Sequence, residues 1–363
     1  MDLFESVPNF SEGRRADVIE AIGTAASKAF VLDADPDPDH HRVVVSLAGS
    51  RQRLVDGLMG AIAAAVERID LETHQGVHPR VGAADVVPIV PLGETSLERC
   101  RDLAHEVGER VWSELHVPVY FYGQGEHKTL ADIRAGRAQL DLGRNPHPTA
   151  GATSVGARRA LVAFNVILYG VDMVAARALA RSIRESRAGL RGVQALAFEL
   201  PGRRVQLSMN LFRVDETTPS DVVAELERIG VSVGAEQIVG LCPAAAANPA
   251  ADSRLLEGRL AAVSAEAGAL RCEERGGEEM TALAARLRRE ARELAQLRAD
   301  QDEFLSGAER AAALIHVLRA ARADDPEIEG LLGVAAAGLR HAISPATESL
   351  YRARIDALDA RLG

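Results

Sequence analysis

Lysine is almost missing from this 363-residue chain: of its 42 basic residues only Lys28 and Lys128 are lysine. Arginine does the cationic work, with a planar fork suited to carboxylates. Aromatic residues make up only 4%, so the core must be built from Ala, Val, Leu and Ile. Positive charge is not in excess, the formal net charge being −10 at pH 7. That argues against a general nucleic-acid coat. No run of 18 apolar residues is present, so no helix is expected to span a bilayer. The first twenty residues carry Asp2, Glu5, Glu12 and Asp17 and lack an apolar signal core, which points to a cytoplasmic protein. Cys100, Cys242 and Cys272 are widely spaced and in no CxxC pair, reading as reduced thiols rather than a disulfide frame or zinc site. There is no G-x-S-x-G elbow, H-E-x-x-H helix or G-x-G-x-x-G turn. Serine hydrolase, zincin and dinucleotide enzyme are disfavoured accordingly.

What is present divides near residue 250. Apolar runs of strand length alternate with amphipathic stretches over residues 1–242. The first half reads as strand 2–8, helix 14–29, strands 29–34 and 42–48, helix 51–69 and strand 85–91. Helix 95–114 and strand 117–122 extend it. The strands rest on β-branched runs such as Val43-Val44-Val45. The helices rest on spacings such as Val18, Ile19, Ile22 and Ala26, with Ser11 a nearby cap. After a Gly/Pro-rich stretch around 141–156 the order repeats as strand 160–168, helix 172–187 and strands 193–199 and 204–212. Helix 218–229, entered through Thr217-Thr218-Pro219-Ser220-Asp221, and strand 231–241 complete it.

Two successive β-α-β-β-α-β units predict an α+β protein with subdomains 1–140 and 141–250. Each sheet has one face covered by helices, and the economical arrangement packs the two sheets face to face around a ligand crevice. Residues 251–363 hold 16 basic and 20 acidic residues, a net charge of 16 − 20 = −4, with helical periodicity throughout. Breaks are expected at Gly276-Gly277, Ser306-Gly307, Pro326 and Pro345, giving an all-helical tail: a bundle or dimerising hairpin.

Four clusters can carry chemistry. Asp33-Ala-Asp35-Pro-Asp37-Pro-Asp39-His40-His41-Arg42 alternates carboxylates before two imidazoles. An EF-hand needs glycine and glutamate where Pro38 and Val44 stand, so a solvated turn between strands competes with a cation site. In His74-Gln-Gly76-Val-His78-Pro79-Arg80-Val-Gly82-Ala-Ala-Asp85, Pro79 holds His78 extended in a loop entering a strand. Such a histidine can take a proton from an amine, or simply bond to backbone. Arg80 can anchor a carboxylate bidentately.

The third cluster, Gly143-Arg144-Asn145-Pro146-His147-Pro148-Thr149-Ala150-Gly151 through Gly156-Ala-Arg158, lacks the Lys-Ser/Thr of a phosphate loop. It suits either a glycine-rich rim for a flat ligand or a linker. Fourth, Gln206, Ser208 and Asn210 share one face of a strand whose other face is Val205, Leu207, Met209 and Leu211. The polar row lines the crevice or faces solvent.

Taken together these segments resemble the formiminotransferase domain family. The matching stretches begin with Val7-Pro-Asn-Phe-Ser-Glu-Gly13, Asp39-His-His-Arg42 and Gly76-Val-His-Pro-Arg-Val-Gly-Ala83. They continue with Val117-Pro-Val-Tyr-Phe-Tyr-Gly123, Gly151-Ala152 through Arg158, Ala163-Phe-Asn165, Val193-Gln194 and Val239-Gly-Leu-Cys-Pro243. They are collinear over roughly residues 3–245. The resemblance implies two α+β subdomains with facing sheets, and transfer of a formimino group between N-formimino-L-glutamate and tetrahydrofolate. It implies His78 as the catalytic base and residues 143–151 as the folate loop. Arg144 stands where the family has proline, one loop residue is deleted, and His41 stands where asparagine is common.

Folate and glutamate carry carboxylates, for which Arg80, Arg158 and Arg42 are candidate anchors. Tetrahydrofolate is expected as co-substrate, with no metal required, no nucleic-acid or membrane partner, and a homo-oligomeric assembly. The tail lacks a P-G-G-G-S segment, so cyclodeaminase activity is not expected. A non-catalytic folate-binding or assembly protein, or an enzyme moving a formyl group, are the alternatives.

Overall fold

The computed structural model describes residues 1–76 and 79–363. The chain divides into two compact units, Asp2–Ala160 and Leu161–Gly363, Met1 being grouped with the latter.

The first unit is a mixed sheet with helices on one face. Its elements are β1 (Leu3–Ser6), β2 (Asn9–Phe10), α1 (Ala16–Ala25), β3 (Phe30–Asp37), β4 (Arg42–Ser50) and α2 (Arg51–Arg68). They continue with β5 (Ala84–Leu92), α3 (Leu97–Leu115), β6 (Val119–Gly123), α4 (Leu130–Arg134) and β7 (Thr153–Ala157). β1 and β2 lie end to end, each pairing antiparallel with both β4 and β5. β3 forms a hairpin with β4, and β7 runs parallel between β5 and β6. Val43, Val45, Leu47, Val87, Ile89 and Val155 pack with Ile22, Leu58, Leu103 and Val107 of the helices in one core. Each fully buried aliphatic side chain there contributes about 1.5–3 kcal/mol.

β7 falls inside the stretch that the sequence presents as Gly/Pro-rich. Its residues, Thr-Ser-Val-Gly-Ala, are all buried, so no alternation betrays it, as expected of a strand covered on both faces. The cap of α1 also differs from expectation. Ser11 Oγ donates instead to Gly82 O at 2.8 Å. No side chain caps the helix at Arg15; the loop leading into it is held by Glu12, whose Oε1 accepts from Gly13, Arg14 and Arg15 N at 2.9–3.0 Å.

In the second unit the β-α-β-β-α-β order is as read from the sequence. It runs β8 (Val162–Tyr169), α5 (Met173–Ser182), β9 (Val193–Leu200), β10 (Arg204–Leu211), α6 (Pro219–Arg228) and β11 (Ser232–Val239). The sheet is antiparallel throughout, in order β11-β8-β10-β9. Thr218 and Asp221 form a capping box at the start of α6. Val205, Leu207, Met209 and Leu211 are buried. On the other face a row runs Gln237–Asn165–Ser208–Leu196 across four strands, and Asn165 Nδ2 donates to Gln237 Oε1 at 3.1 Å. Asn165 and Gln206 are buried, Ser208 partly so, and Asn210 exposed, so the row is not uniformly solvated.

The tail is a bundle of α7 (Leu256–Arg275), α8 (Glu278–Leu294), α9 (Gln301–Ala320), α10 (Pro326–His341), α11 (Pro345–Leu350) and α12 (Arg352–Leu362). The expected break at Ser306-Gly307 is absent; α9 runs through it. The chain turns earlier, and Asp300 Oδ1 caps α9 through Asp302 and Glu303 N. Gly307 serves packing: a Cβ there would lie 2.6 Å from Leu297 Cδ1 and 3.1 Å from Leu339 Cδ1. Where the tail begins, Glu257 of α7 is buried and accepts Ala244 N–H at 2.9 Å. Burial pushes its carboxyl up to about 7 against that bond. Among the described residues no helix is long and apolar enough to cross a membrane.

Candidate active site

Four segments of the first unit meet at one end of its sheet: the 11–15 loop after β2, the 38–41 turn of the β3–β4 hairpin, the segment between α2 and β5, and the 143–151 loop before β7. Backbone pairing holds them together. Leu71 N donates to Thr149 O at 2.8 Å, Ala83 N to Ala150 O at 2.9 Å, and Ala152 N to Val81 O at 2.9 Å. Ser11 N donates to Ala83 O at 2.8 Å. Gly151 has φ +68°, and a Cβ there would sit 2.2 Å from Val81 O. Only glycine meets both demands at low cost. Residues 81–83 and the glycine-rich loop, separate in sequence, are thus neighbours.

The 147–151 turn closes on itself through His147 N to Gly151 O at 2.7 Å and the reciprocal bond at 2.9 Å. His147 Nδ1 accepts Ala150 N–H at 3.1 Å, so this imidazole shapes the loop. Arg144, Asn145, Pro146 and Pro148 are exposed on it, while Gly143 and Thr149 are half-buried and Ala150 is buried.

His78 lies outside the described residues. The described residues that flank it in sequence, His74 and Arg80, are tied to the 38–41 turn by hydrogen bonds and ring stacking. Arg80 Nη1 donates to His41 O and Nη2 to His40 O, each at 3.1 Å. Nη1 also contacts the His74 ring, 2.9 Å from Nδ1 and 2.8 Å from Nε2. The His41 and His74 rings stack with centroids 4.0 Å apart. His41 adopts φ +51°, a left-handed conformation that histidine, like asparagine, tolerates. Its Nδ1 accepts Gly13 N–H at 3.1 Å. The turn is not simply solvated, because His40 is buried and its Nδ1 bonds Asp37 Oδ2 at 2.8 Å.

The electrostatics follow from these partners. Burial first, and then the Arg80 guanidinium and His41, together lower the His74 pKa to about 4. Burial also lowers His41, partly opposed by Glu12. Both rings are neutral at pH 7. Burial would raise Glu12, but the amides of Arg15 and Arg14 and the Arg15 guanidinium outweigh it, leaving the carboxyl below its usual range.

Asp85 is fully buried where β5 begins. It accepts Val81 N–H at 2.6 Å and Arg134 Nη2 at 3.0 Å. Arg42 is desolvated at the same end of the sheet, with Asp85 favouring its charge.

Arg158 stands apart from this cluster, at the far end of β7, where its N–H donates to Ile89 O at 3.0 Å. It lies near Tyr122, whose phenol burial pushes up to about 12 against the pull of that guanidinium. Register puts Glu5, Asp33, Asp35, Ser46, Ser154, Tyr120 and Tyr122 on the sheet face opposite the helices. Ser46 Oγ and Ser154 Oγ are buried there without a hydrogen-bond partner among the described residues. The sequence reading missed this polar face. Its signal was a polar residue inside each apolar run, Ser46 after Val43-Val44-Val45 and Ser154 before Val155.

Residues 3–158 match the formiminotransferase domain, N-terminal subdomain. A glutamate formimidoyltransferase of Thermoplasma acidophilum is 38% identical over 269 residues, covering 67% of this chain and 89% of that protein. One from Streptococcus pyogenes is 34% identical over 269 residues, covering 67% and 90%. The formimidoyltransferase-cyclodeaminase of Gallus gallus is 38% identical over 282 residues, covering 69% of this chain and 52% of that one.

Proposed function

Because the chain belongs to the formiminotransferase domain family, we propose that it is a glutamate formimidoyltransferase, moving the formimino group between N-formimino-L-glutamate and tetrahydrofolate with His78 as general base. One observation carries this reading: the matched stretch 3–158 contains every side chain that the first unit gathers at the end of its sheet. In the catabolic direction, N5 of tetrahydrofolate attacks the amidine carbon. A protonated amine has no lone pair, so neutral His78 takes the proton and a tetrahedral adduct forms. The imidazolium returns that proton to the glutamate nitrogen, the C–N bond to glutamate breaks, and 5-formiminotetrahydrofolate is left. Proton transfer of this kind contributes about 10²–10⁴-fold, and holding both substrates in one site contributes orientation.

The 143–151 loop receives the folate, and Arg42 and Arg158 anchor substrate carboxylates. Tetrahydrofolate is co-substrate and the chemistry needs no metal. Residues 1–140 and 141–250 form the transferase, with 251–363 a helical appendage, in a cytoplasmic homo-oligomer.

The test mixes protein with tetrahydrofolate and formiminoglutamate, comparing the native chain with His78→Ala. The native protein should form 5-formiminotetrahydrofolate and the variant lose at least about 100-fold in kcat. Normal folate binding without turnover in the native protein would instead indicate a non-catalytic binder. Turnover with N-formylglutamate in place of formiminoglutamate would identify a formyl transferase.

A further inference from the structure

The segment between α2 and β5 carries His78 between two limbs, His74–Gly76 and Pro79–Arg80, and both limbs meet at one guanidinium. Arg80 reaches the His74 ring on the first limb and the carbonyls of His40 and His41 on the hairpin turn, all within 2.8–3.1 Å. Gly76 passes so close that a Cβ would lie 2.3 Å from Arg80 Nη2 and 2.8 Å from His40 O. We propose that Arg80 is a positioning residue, clamping both limbs of the 74–80 segment onto the 38–41 turn and so fixing where the base between them stands, rather than holding a substrate carboxylate. The inference rests on the reading of His78 as that base.

Hydrogen-bond chemistry supports the clamp. A guanidinium only donates, so each partner must accept. The two carbonyls do so always, and an imidazole does so only when neutral. The turn that receives the clamp is itself fixed from behind. His41 stacks on His74 and takes the Gly13 amide. Gly13, Arg14 and Arg15 all donate to the buried Glu12. A chain of contacts therefore runs from Glu12 through His41 and His74 to Arg80. A planar fork spans three acceptors at once, whereas a lysine ammonium on a flexible stem does not reproduce that geometry.

The experiment uses the full chain with Arg80→Lys, Arg80→Ala, His74→Leu and His74→Gln. A misplaced base costs up to about 100-fold, so Arg80→Lys should lose about 30–100-fold in kcat while KM for formiminoglutamate stays within about twofold. His74→Leu should fall similarly, and His74→Gln, whose amide oxygen still accepts, should recover most of that loss. A KM rise of about tenfold or more with kcat retained in Arg80→Lys would overturn the proposal and make Arg80 a carboxylate anchor. A second readout is independent of turnover. Without substrate, amides of residues 71–83 should exchange faster with solvent in Arg80→Ala, or in Arg80→Lys should the alanine variant not fold, while those of Val43–Leu47 stay protected. Unchanged exchange overturns the clamp whatever the kinetics. Loosened exchange in a protein that shows no formimino transfer would reject the transferase reading and uphold the clamp.

Discussion

The two sheets differ in build and in chemistry: the first has seven strands of mixed direction, the second four antiparallel strands. Residues 161–250 contain no histidine at all, whereas His40, His41, His74 and His147 lie in or beside the loops at one end of the first sheet. The second sheet offers neutral polar groups instead: the Asn165 and Gln237 amides with the Ser208 hydroxyl in one row, and the Gln206 and Asn210 amides alongside. Amides donate and accept without titrating in the physiological range, and imidazoles can carry a proton. One sheet is therefore bordered by groups that can carry a proton, and the other bears neutral polar groups.

The sharpest way to break this division is kinetic. His78→Ala should lower kcat by about 10²–10⁴-fold, while Asn165→Leu or Gln206→Leu should act on KM and leave kcat within about threefold, as expected for uniform binding. A kcat loss from Asn165→Leu as large as that from His78→Ala would end the separation. Next in size is Gly151→Ala. A left-handed φ and a Cβ 2.2 Å from Val81 O should together cost about 2–4 kcal/mol. Thermal unfolding should show it, with loss of activity because the loop can no longer pair with residues 81–83. Asn165→Leu should be milder in stability, about 0.5–1.5 kcal/mol for the lost bond to Gln237.

How far the sequence announced this follows from which signals are local. In the second module every strand and helix is legible, because one face of its sheet is packed and alternation survives; β10 reads polar and apolar at period two. β7 is hidden since strands buried on both faces do not alternate, and short residues gave no β-branched run. Gly307 reads as a breaker locally but is a contact glycine, a property of Leu297 and Leu339 rather than of its neighbours in sequence. The loops of the site were legible as loops, because Pro79, Gly143 and Gly151 constrain the backbone by themselves. What they touch was not. The Arg80–His74 contact, Glu12 holding three amides, and the Ser46 and Ser154 hydroxyls, unpartnered among the described residues, all depend on segments 30 or more residues away, or on turn geometry that composition does not fix.

The smallest expected effect tests the two units against each other through pH. His74 has a folded pKa of about 4, below its ordinary 6.5. Between those values the unfolded chain binds the proton and the native one does not, so this group's stabilising contribution is lost as pH falls from about 6.5 to about 4. Glu257, in the second unit, is raised from 4.5 to about 7. There the native chain holds the proton longer, so its contribution is lost as pH rises through nearly the same window. The two gradients oppose, and a global melting curve should be flat where each alone would tilt. His74→Gln should remove the acid-side loss, leaving Tm falling by a few degrees from pH 4.5 to 7. Glu257→Gln should do the reverse, with Tm rising over that range. Parallel slopes in the two variants would show that the charge environments of the two units are not opposed, and would remove the electrostatic half of the contrast between the modules.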